Sequence, residues 1–143
     1  MRSEIQSLEV SFFVQATEDE RRTAKAVGEL FGGPGGPERQ ELEGHYGNKI
    51  VWMRYHLTGD EAQRAFRTLV SRLGKEGRGA LLREMGSLLD EHGSLFLRLG
   101  KQSAVQGSAV LSDSDPVRVK VKPRAFLLRG EPSRFYARLM EGA

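Results

Sequence analysis

The longest β-like run of the chain, residues 50–57, divides its side chains into two different faces. Successive residues of a strand point to opposite sides, so one face here is apolar throughout. That face carries Val51, Met53, Tyr55 and Leu57. The other face carries Ile50, Trp52, Arg54 and His56. A polar strand at 39–43 and a turn at 44–48 precede this run, and the pattern therefore predicts a β-hairpin. We expect His45 and Tyr46 to project outward from its turn.

Apolar and polar residues also alternate in three other segments, residues 8–14, 94–100 and 117–122. Each is predicted to be a strand with one buried face. Residues 108–111 could form a further short strand. The side chains predicted to lie on the faces away from the core are Phe13, Phe96, Arg98, Arg118, Lys120 and Lys122.

Helical spacing of apolar residues predicts the remaining elements. The first helix begins at a Thr17 cap and runs to about residue 30. The second covers about 58–73, a glycine-containing break follows at 74–79, and a third helix covers about 80–91. A short helix is predicted near the C-terminus, at 133–140. The residues predicted to be buried against the sheet are Ala62, Phe66, Leu69, Val70, Leu82, Met85 and Leu89.

This order of strands and amphipathic helices predicts an α+β fold. We expect a two-layer sandwich, with the helices on one face of a mostly antiparallel or mixed sheet and the other face open. The length of 143 residues fits a single domain. Its core is predicted at about 7–123, followed by a C-terminal extension at 124–143.

Charge is distributed unevenly along the chain. The net charge is only +3, but residues 116–143 hold seven Lys/Arg and two Asp/Glu, which makes this end basic. No run of 18 apolar residues occurs, so a membrane partner is not predicted. The N-terminus lacks the apolar core of a signal peptide, and the chain has no cysteine. We therefore expect a cytoplasmic location.

The predicted open face of the sheet combines cations with aromatic rings. Cations can hold phosphates while rings stack on bases, as binding of single-stranded RNA requires. The predicted partner is RNA, either single-stranded or structured cellular RNA. The candidate RNA-binding residues on this face are Trp52, Arg54, His56, Phe96, Arg98, Arg118, Lys120 and Lys122. The alternatives are a protein-interaction or homodimer surface, using this face or an edge strand, and a face covered by the C-terminal tail. The helices add exposed cations, including Arg64, Arg67 and Arg72, for which an ordinary solvated surface is the alternative.

Signals of catalysis or of a bound cofactor are weak. The three histidines, His45, His56 and His92, show no metal-binding spacing. No serine lies in a GxSxG motif, and the glycine-rich segment 32–37 follows a helix and lacks the GK[ST] ending of a phosphate loop. We therefore predict a protein without catalytic residues, metal or cofactor.

Three stretches together resemble a known family. They are residues 16–20 (ATEDE), 43–48 (EGHYGN) and 90–102, which ends in LRLGKQ. They resemble the archaeal RNA-binding proteins described as predicted exosome subunits, and the resemblance extends over about residues 8–122. It implies a fold like that of the fifth large-subunit ribosomal protein and a non-enzymatic role in RNA binding, with exosome or ribosome components as possible partners. Lys101 and Gln102 of the third stretch, and His45 and Tyr46 of the second, join the candidate RNA-binding residues.

Overall fold

Antiparallel strands and amphipathic helices alternate along the chain, and the computed structural model describes residues 3–124 and 132–141. The strands in these residues are β1 (Ile5–Val14), β2 (Glu38–Glu43), β3 (Lys49–Thr58), β4 (Leu95–Gly100) and β5 (Pro116–Pro123). The helices are α1 (Glu20–Glu29), α2 (Gly59–Leu88), α3 (Lys101–Val105) and α4 (Pro132–Glu141).

The five strands form one sheet in the order β2-β3-β1-β5-β4, and every neighbouring pair is antiparallel. This confirms the predicted α+β class and the predicted hairpin. The register places Val10 between Tyr55 and Val119, so inward-facing side chains line up across the sheet. Because the alternation stays in phase on all three central strands, one sheet face is apolar and the other is left for polar side chains.

The apolar face of the sheet is covered by the first half of α2. Its residues Phe66, Leu69 and Val70 are fully buried, as the helical spacing predicts. Phe12 of β1 and Leu97 of β4 belong to the same core.

Gly74 changes the course of α2. Its backbone (φ 70°, ψ 178°) is not helical, and a side chain there would be strained. Helical geometry resumes immediately after it, so the predicted break over residues 74–79 is wrong beyond Gly74 itself. After the kink, Met85 is buried as predicted and Leu81 is fully buried, whereas Leu82 is 44% exposed and its predicted burial is wrong.

Three local predictions also differ from the structure. The side chain of Asp19, not of Thr17, caps α1, because its carboxylate accepts a hydrogen bond from the Arg22 backbone N–H at 3.0 Å. Helix α2 ends at Leu88, and Leu89, which is half-buried, forms an isolated bridge with Leu95. Residues 108–111 contribute an isolated bridge to the edge of β4, not a strand.

The predicted C-terminal helix is present as α4, and it packs on the core. Tyr136 is fully buried, and its hydroxyl donates a hydrogen bond to the Gly93 carbonyl at 2.7 Å. Its ring meets that of Phe66 edge to face, with 6.1 Å between the centroids. Within the predicted extension, residues 125–131 and 142–143 lie outside the described residues.

Candidate functional site

The outer face of strands β4 and β5 brings cations and one aromatic ring together. Phe96 lies directly opposite Lys120, and Arg98 lies opposite Arg118. The Lys120 ammonium is 5.5 Å from the centroid of the Phe96 ring, which is the geometry of a cation–π contact. Lys122 continues the cationic row of β5, and all of these side chains are exposed. The candidate RNA-binding residues of β4 and those of β5 are thus adjacent, because the sheet pairs these two strands.

A depression of about 800 Å³ lies at this place. Its wall includes β1, β4, β5 and the part of α2 after Gly74, so this half-helix borders the outer face of the sheet. Its basic lining residues are Arg98, Arg118 and Lys120, and its acidic ones are Glu9, Glu84, Asp90 and Asp113. The depression therefore offers hydrogen-bond donors and acceptors in addition to the Phe96 ring.

Some of the predicted cations are already engaged by acidic neighbours. Arg54 donates to Glu9 at 2.9 Å and also contacts Glu38 at 3.3 Å. Arg98 lies 3.6 Å from Asp113, and that pair is solvent-exposed. By contrast, Arg118 and Lys122 form no ion pair with any part of the chain that the structure describes. The cations most available to a ligand on this face are therefore those of β5.

Trp52 and His56 lie on the other half of the outer face. Trp52 is half-buried and stands opposite Phe13, whereas His56 is exposed and stands opposite Glu9. Neither Trp52 nor His56 lines the depression. The predicted face is therefore divided into an aromatic part on β3 and β1 and a cationic part on β5 and β4.

Lys101 lies inside the protein. It is only 1% exposed, and its ammonium donates to the Phe13 carbonyl at 2.7 Å and to Glu18 at 2.8 Å, with Asp115 at 3.2 Å. Gln102 is exposed and reaches the same two acids. Lys101 thus ties α3 to the end of β1, and its burial removes it from any surface that a ligand could reach.

His45 and Tyr46 occupy the tip of the β2–β3 hairpin. Tyr46 is 91% exposed, and the two rings meet edge to face with centroids 4.8 Å apart. Gly47 has a φ of 78°, which the turn requires and which favours glycine. Both rings project outward, as expected. Neither ring lines the depression.

The outer edge of the sheet, strand β2, is exposed along its whole length and carries paired charges. Arg39 contacts Glu20 at 2.7 Å and Glu41 at 2.8 Å. The Arg39 guanidinium holds the pKa of each carboxyl below its usual value. Charged side chains of this kind disfavour pairing of an open edge with another strand.

The acidic lining of the depression was not identified from the sequence. Glu9 could have been found, since the alternation of β1 places it on the outer face with Phe13. Glu84 could not, because its position depends on the kink at Gly74. Over residues 3–124 and 132–141, no group of three or more His, Asp or Glu side chains is arranged to hold a metal ion. None of the described helices is both long and apolar enough to cross a membrane.

Comparisons with known proteins give a consistent picture. Residues 7–123 match the model of a protein family described as RNA binding. The RNA-binding protein PAB1135 of Pyrococcus abyssi is 30% identical over 132 residues, which cover 87% of this chain and 86% of that protein.

Solved structures with the same fold include Mth689, a DUF54 protein from Methanothermobacter thermautotrophicus. It has a TM-score of 0.74 at 27% identity, over 95% of this chain and 98% of that one. SSO0741 from Sulfolobus solfataricus also has a TM-score of 0.74, at 20% identity and over the same shares of the two chains. These structures support the α+β architecture over nearly the full length.

Proposed function

We propose that this chain, which belongs to the RNA-binding family, binds single-stranded RNA on the outer face of its sheet and does so without catalysing a reaction. The observation that carries the proposal is the arrangement on β5 and β4. There the Phe96 ring lies beside Lys120, next to two cations, Arg118 and Lys122, that have no acidic partner in the described part of the chain.

The spacing along β5 suits an extended polyanion. Arg118, Lys120 and Lys122 are two residues apart, which corresponds to about 6–7 Å between neighbours. That distance is similar to the repeat of phosphates in an extended single strand. Three like charges in a row repel one another, so a bound polyanion would stabilise the row.

The exposed ring favours a single strand over a duplex. Phe96 is 41% exposed, and an unstacked base can lie against it only when the base is not paired within a helix. The donors and acceptors of the depression can then contact the edge of that base. Arg98 would add a further phosphate contact once its exposed pair with Asp113 opens, because such pairs contribute little stability.

The other candidate residues would extend this surface. Trp52, His56 and Arg54 lie on the neighbouring part of the sheet, and His45 and Tyr46 could stack on nucleotides that run toward the hairpin tip. Gln102 is exposed beside the sheet end and could donate a hydrogen bond. We do not include Lys101, because its ammonium is buried among Glu18, Asp115 and the Phe13 carbonyl.

We further propose a biological setting from the sequence resemblance described above. The protein would be a cytoplasmic accessory factor in RNA processing or decay, next to exosome or ribosome components. Co-purification of such components with the tagged protein, retained after RNase treatment, is the result that this setting predicts.

The RNA proposal is tested by changing Arg118, Lys120 and Lys122 to Gln and titrating a short single-stranded RNA at two salt concentrations. Each lost phosphate contact lowers the slope of log affinity against log salt by about 0.7, so we expect the slope to fall by about two along with the affinity. The matched control changes Arg21, Arg22 and Lys25 of α1 to Gln. It removes the same charge from another exposed surface, so equal losses in the two variants would contradict a site on β5.

A second candidate function is a protein-interaction or homodimerisation surface. It would use the open edge of β2, which forms hydrogen bonds only to β3 in the described residues, once the exposed ion pairs of Arg39 along that edge open. Under this alternative the triple Gln variant binds RNA unchanged, and the protein migrates as a dimer that persists at high salt.

A further inference from the structure

The part of α2 before the kink at Gly74 carries three exposed arginines. Phe66 and Leu69 are buried against the sheet, Arg64 and Arg67 lie on the side of the helix away from them, and Arg72 lies on its flank. A helix rises about 1.5 Å per residue, so these arginines are spread over about 12 Å of its length. We call this surface, defined by Arg64, Arg67 and Arg72, the α2 cationic face.

The arginines of this face form no ion pairs with the acids of the same helix segment, Asp60 and Glu61. None of them forms an ion pair within residues 3–124 and 132–141. Asp60 precedes Arg64 by four residues, the spacing at which an acid and a base can pair on a helix, yet the two are not paired here. Arg39 and Arg54, by contrast, are each held by two carboxylates.

The loop after α1 borders the α2 cationic face. A side chain at Gly32 would lie 3.5 Å from the Thr68 hydroxyl, so this loop packs against α2 beside Thr68. Arg64, Arg67 and Arg72 are exposed next to the loop, so a ligand can reach their guanidinium groups.

The chemistry of the α2 cationic face points to phosphates and not to bases. Phe66 is the one aromatic residue in the first half of α2, and it is buried. Without a ring to stack on, contact would be limited to charge and hydrogen bonding. Guanidinium groups bind phosphate oxygens in a bidentate manner, which makes arginine well suited to this contact.

This face and the cationic row of β5 lie on opposite sides of the molecule. The first half of α2 packs on the apolar side of the sheet, while Arg118, Lys120 and Lys122 lie on its other side. A helix is about 10 Å wide and a sheet adds a second layer, so the two surfaces are about 20 Å apart through the protein. One short oligonucleotide cannot contact both.

We propose that the α2 cationic face is a second RNA-binding surface, specific for the phosphate backbone, and that one chain thereby bridges two RNA segments. The inference rests on the proposed function, because the first segment is the one bound by the sheet. The sheet would hold a single strand through stacking and charge, and the helix would hold any RNA backbone through charge alone.

The test uses the full chain and a single-stranded RNA of about five nucleotides. At an extended rise of about 6–7 Å per nucleotide, taken as similar to the two-residue strand repeat, this RNA spans about 30–35 Å and is too short to pass around the protein from the sheet to α2. Native mass spectrometry counts RNA molecules per protein monomer, and energy transfer between donor- and acceptor-labelled copies of the RNA reports bridging. We expect two RNAs per monomer and energy transfer at equimolar concentrations. Changing Arg64, Arg67 and Arg72 to Gln should reduce the count to one and abolish energy transfer, with the thermal melt unchanged because all three side chains are exposed.

The variants separate failure of this inference from failure of the proposed function. If the α2 variant keeps both RNAs, or if wild-type binds only one, the bridging inference is overturned while the sheet site can still stand. If the β5 Gln variant binds as wild-type does, the proposed sheet site fails, and the two-sided arrangement fails with it. If the α1 control variant loses one RNA as the α2 variant does, binding follows net charge and the assignment to α2 is wrong.

Discussion

At the scale of single residues, Lys101 is predicted from the sequence to contact RNA, but its side chain lies in the interior of the protein. It is the one charged residue buried in the described part of the chain. Its ammonium is shared by Glu18, Asp115 and the Phe13 carbonyl, groups that come from two stretches of the chain, residues 13–18 and the loop before β5. No local pattern could have revealed these partners, because they meet only after the sheet has formed.

Replacing Lys101 by Met should destabilise the protein by about 3 kcal/mol, since the partly buried Glu18 carboxylate and the Phe13 carbonyl lose the buried ammonium that they share. Chemical denaturation measures the free energy of unfolding. Lys49→Met is the matched control, because its pair with Glu41 is more than half exposed and should contribute less than about 1 kcal/mol. Equal losses in the two variants would show that the buried cluster does not stabilise the fold.

Tyr136 gives a prediction about alkaline pH. Burial, and then the nearby charge of Asp90, raise the pKa of its hydroxyl above the ordinary value of 10.0. The folded state therefore favours the neutral phenol. The contribution of the buried Tyr136 hydroxyl to stability is complete below about pH 10. It is lost as the pH rises further, because Tyr136 ionises at a lower pH in the unfolded chain than in the folded one.

Tyr136→Phe should cost about 1 kcal/mol at neutral pH, because the Gly93 carbonyl loses its donor. The variant should also lose stability less steeply than wild-type between about pH 9 and pH 11, as measured by urea melts at each pH. Tyr55, whose pKa is also raised by burial, is present in both proteins and so cancels in the comparison. Parallel pH profiles would mean that Tyr136 ionises equally easily in the folded and unfolded states.

At the scale of elements, alternation and helical spacing predicted which faces are buried wherever an element is regular. The valines of β5 and the leucines of β4 point inward as their period of two requires. The same reasoning succeeded only in part in α2 after Gly74, where a single non-helical residue interrupts the helix. Met85 is buried as predicted and Leu81 is also buried, whereas Leu82 lies at the surface.

This contrast within α2 can be measured. Phe66→Ala, before the kink, should cost about 3–5 kcal/mol, because the ring is fully buried beneath the helix. Leu82→Ala, after the kink, should change the free energy of unfolding by less than about 1 kcal/mol, because Leu82 is 44% exposed and lies at the surface. Losses of similar size in urea melts would contradict the placement of Leu82 at the surface.

The candidate site was predictable only in part, because alternation shows which face a side chain lies on but not which strands are neighbours. The side chains on the outer faces of β3, β4 and β5 follow from alternation alone. The strand order does not, and it is the order that pairs Phe96 with Lys120 and separates Trp52 from the depression. The ion pairs of Arg54 could not be predicted from the sequence either, because Glu9 and Glu38 reach Arg54 from two neighbouring strands.

At the scale of the whole molecule, α4 closes the core that the sheet and α2 begin. It buries Phe135, Tyr136, Leu139 and Met140, with Tyr136 between Phe66 and the end of β5. The family match ends at residue 123, so this helix lies beyond the part of the chain that the match covers. Its removal would expose the apolar surface of α2 to water.

A chain that ends at residue 124 tests whether the preceding residues form a stable core on their own. Burial of four large side chains contributes about 6–12 kcal/mol at about 1.5–3 kcal/mol each, which is similar to the whole stability of a domain. We therefore expect the shortened chain to lose its cooperative urea transition and to bind a hydrophobic dye while keeping much of its secondary structure. A chain ending at residue 141 is the control and should melt as the full chain does. If the shortened chain instead unfolds cooperatively at the same urea concentration, residues up to 124 fold independently, and α4 is an appendage and not a part of the core.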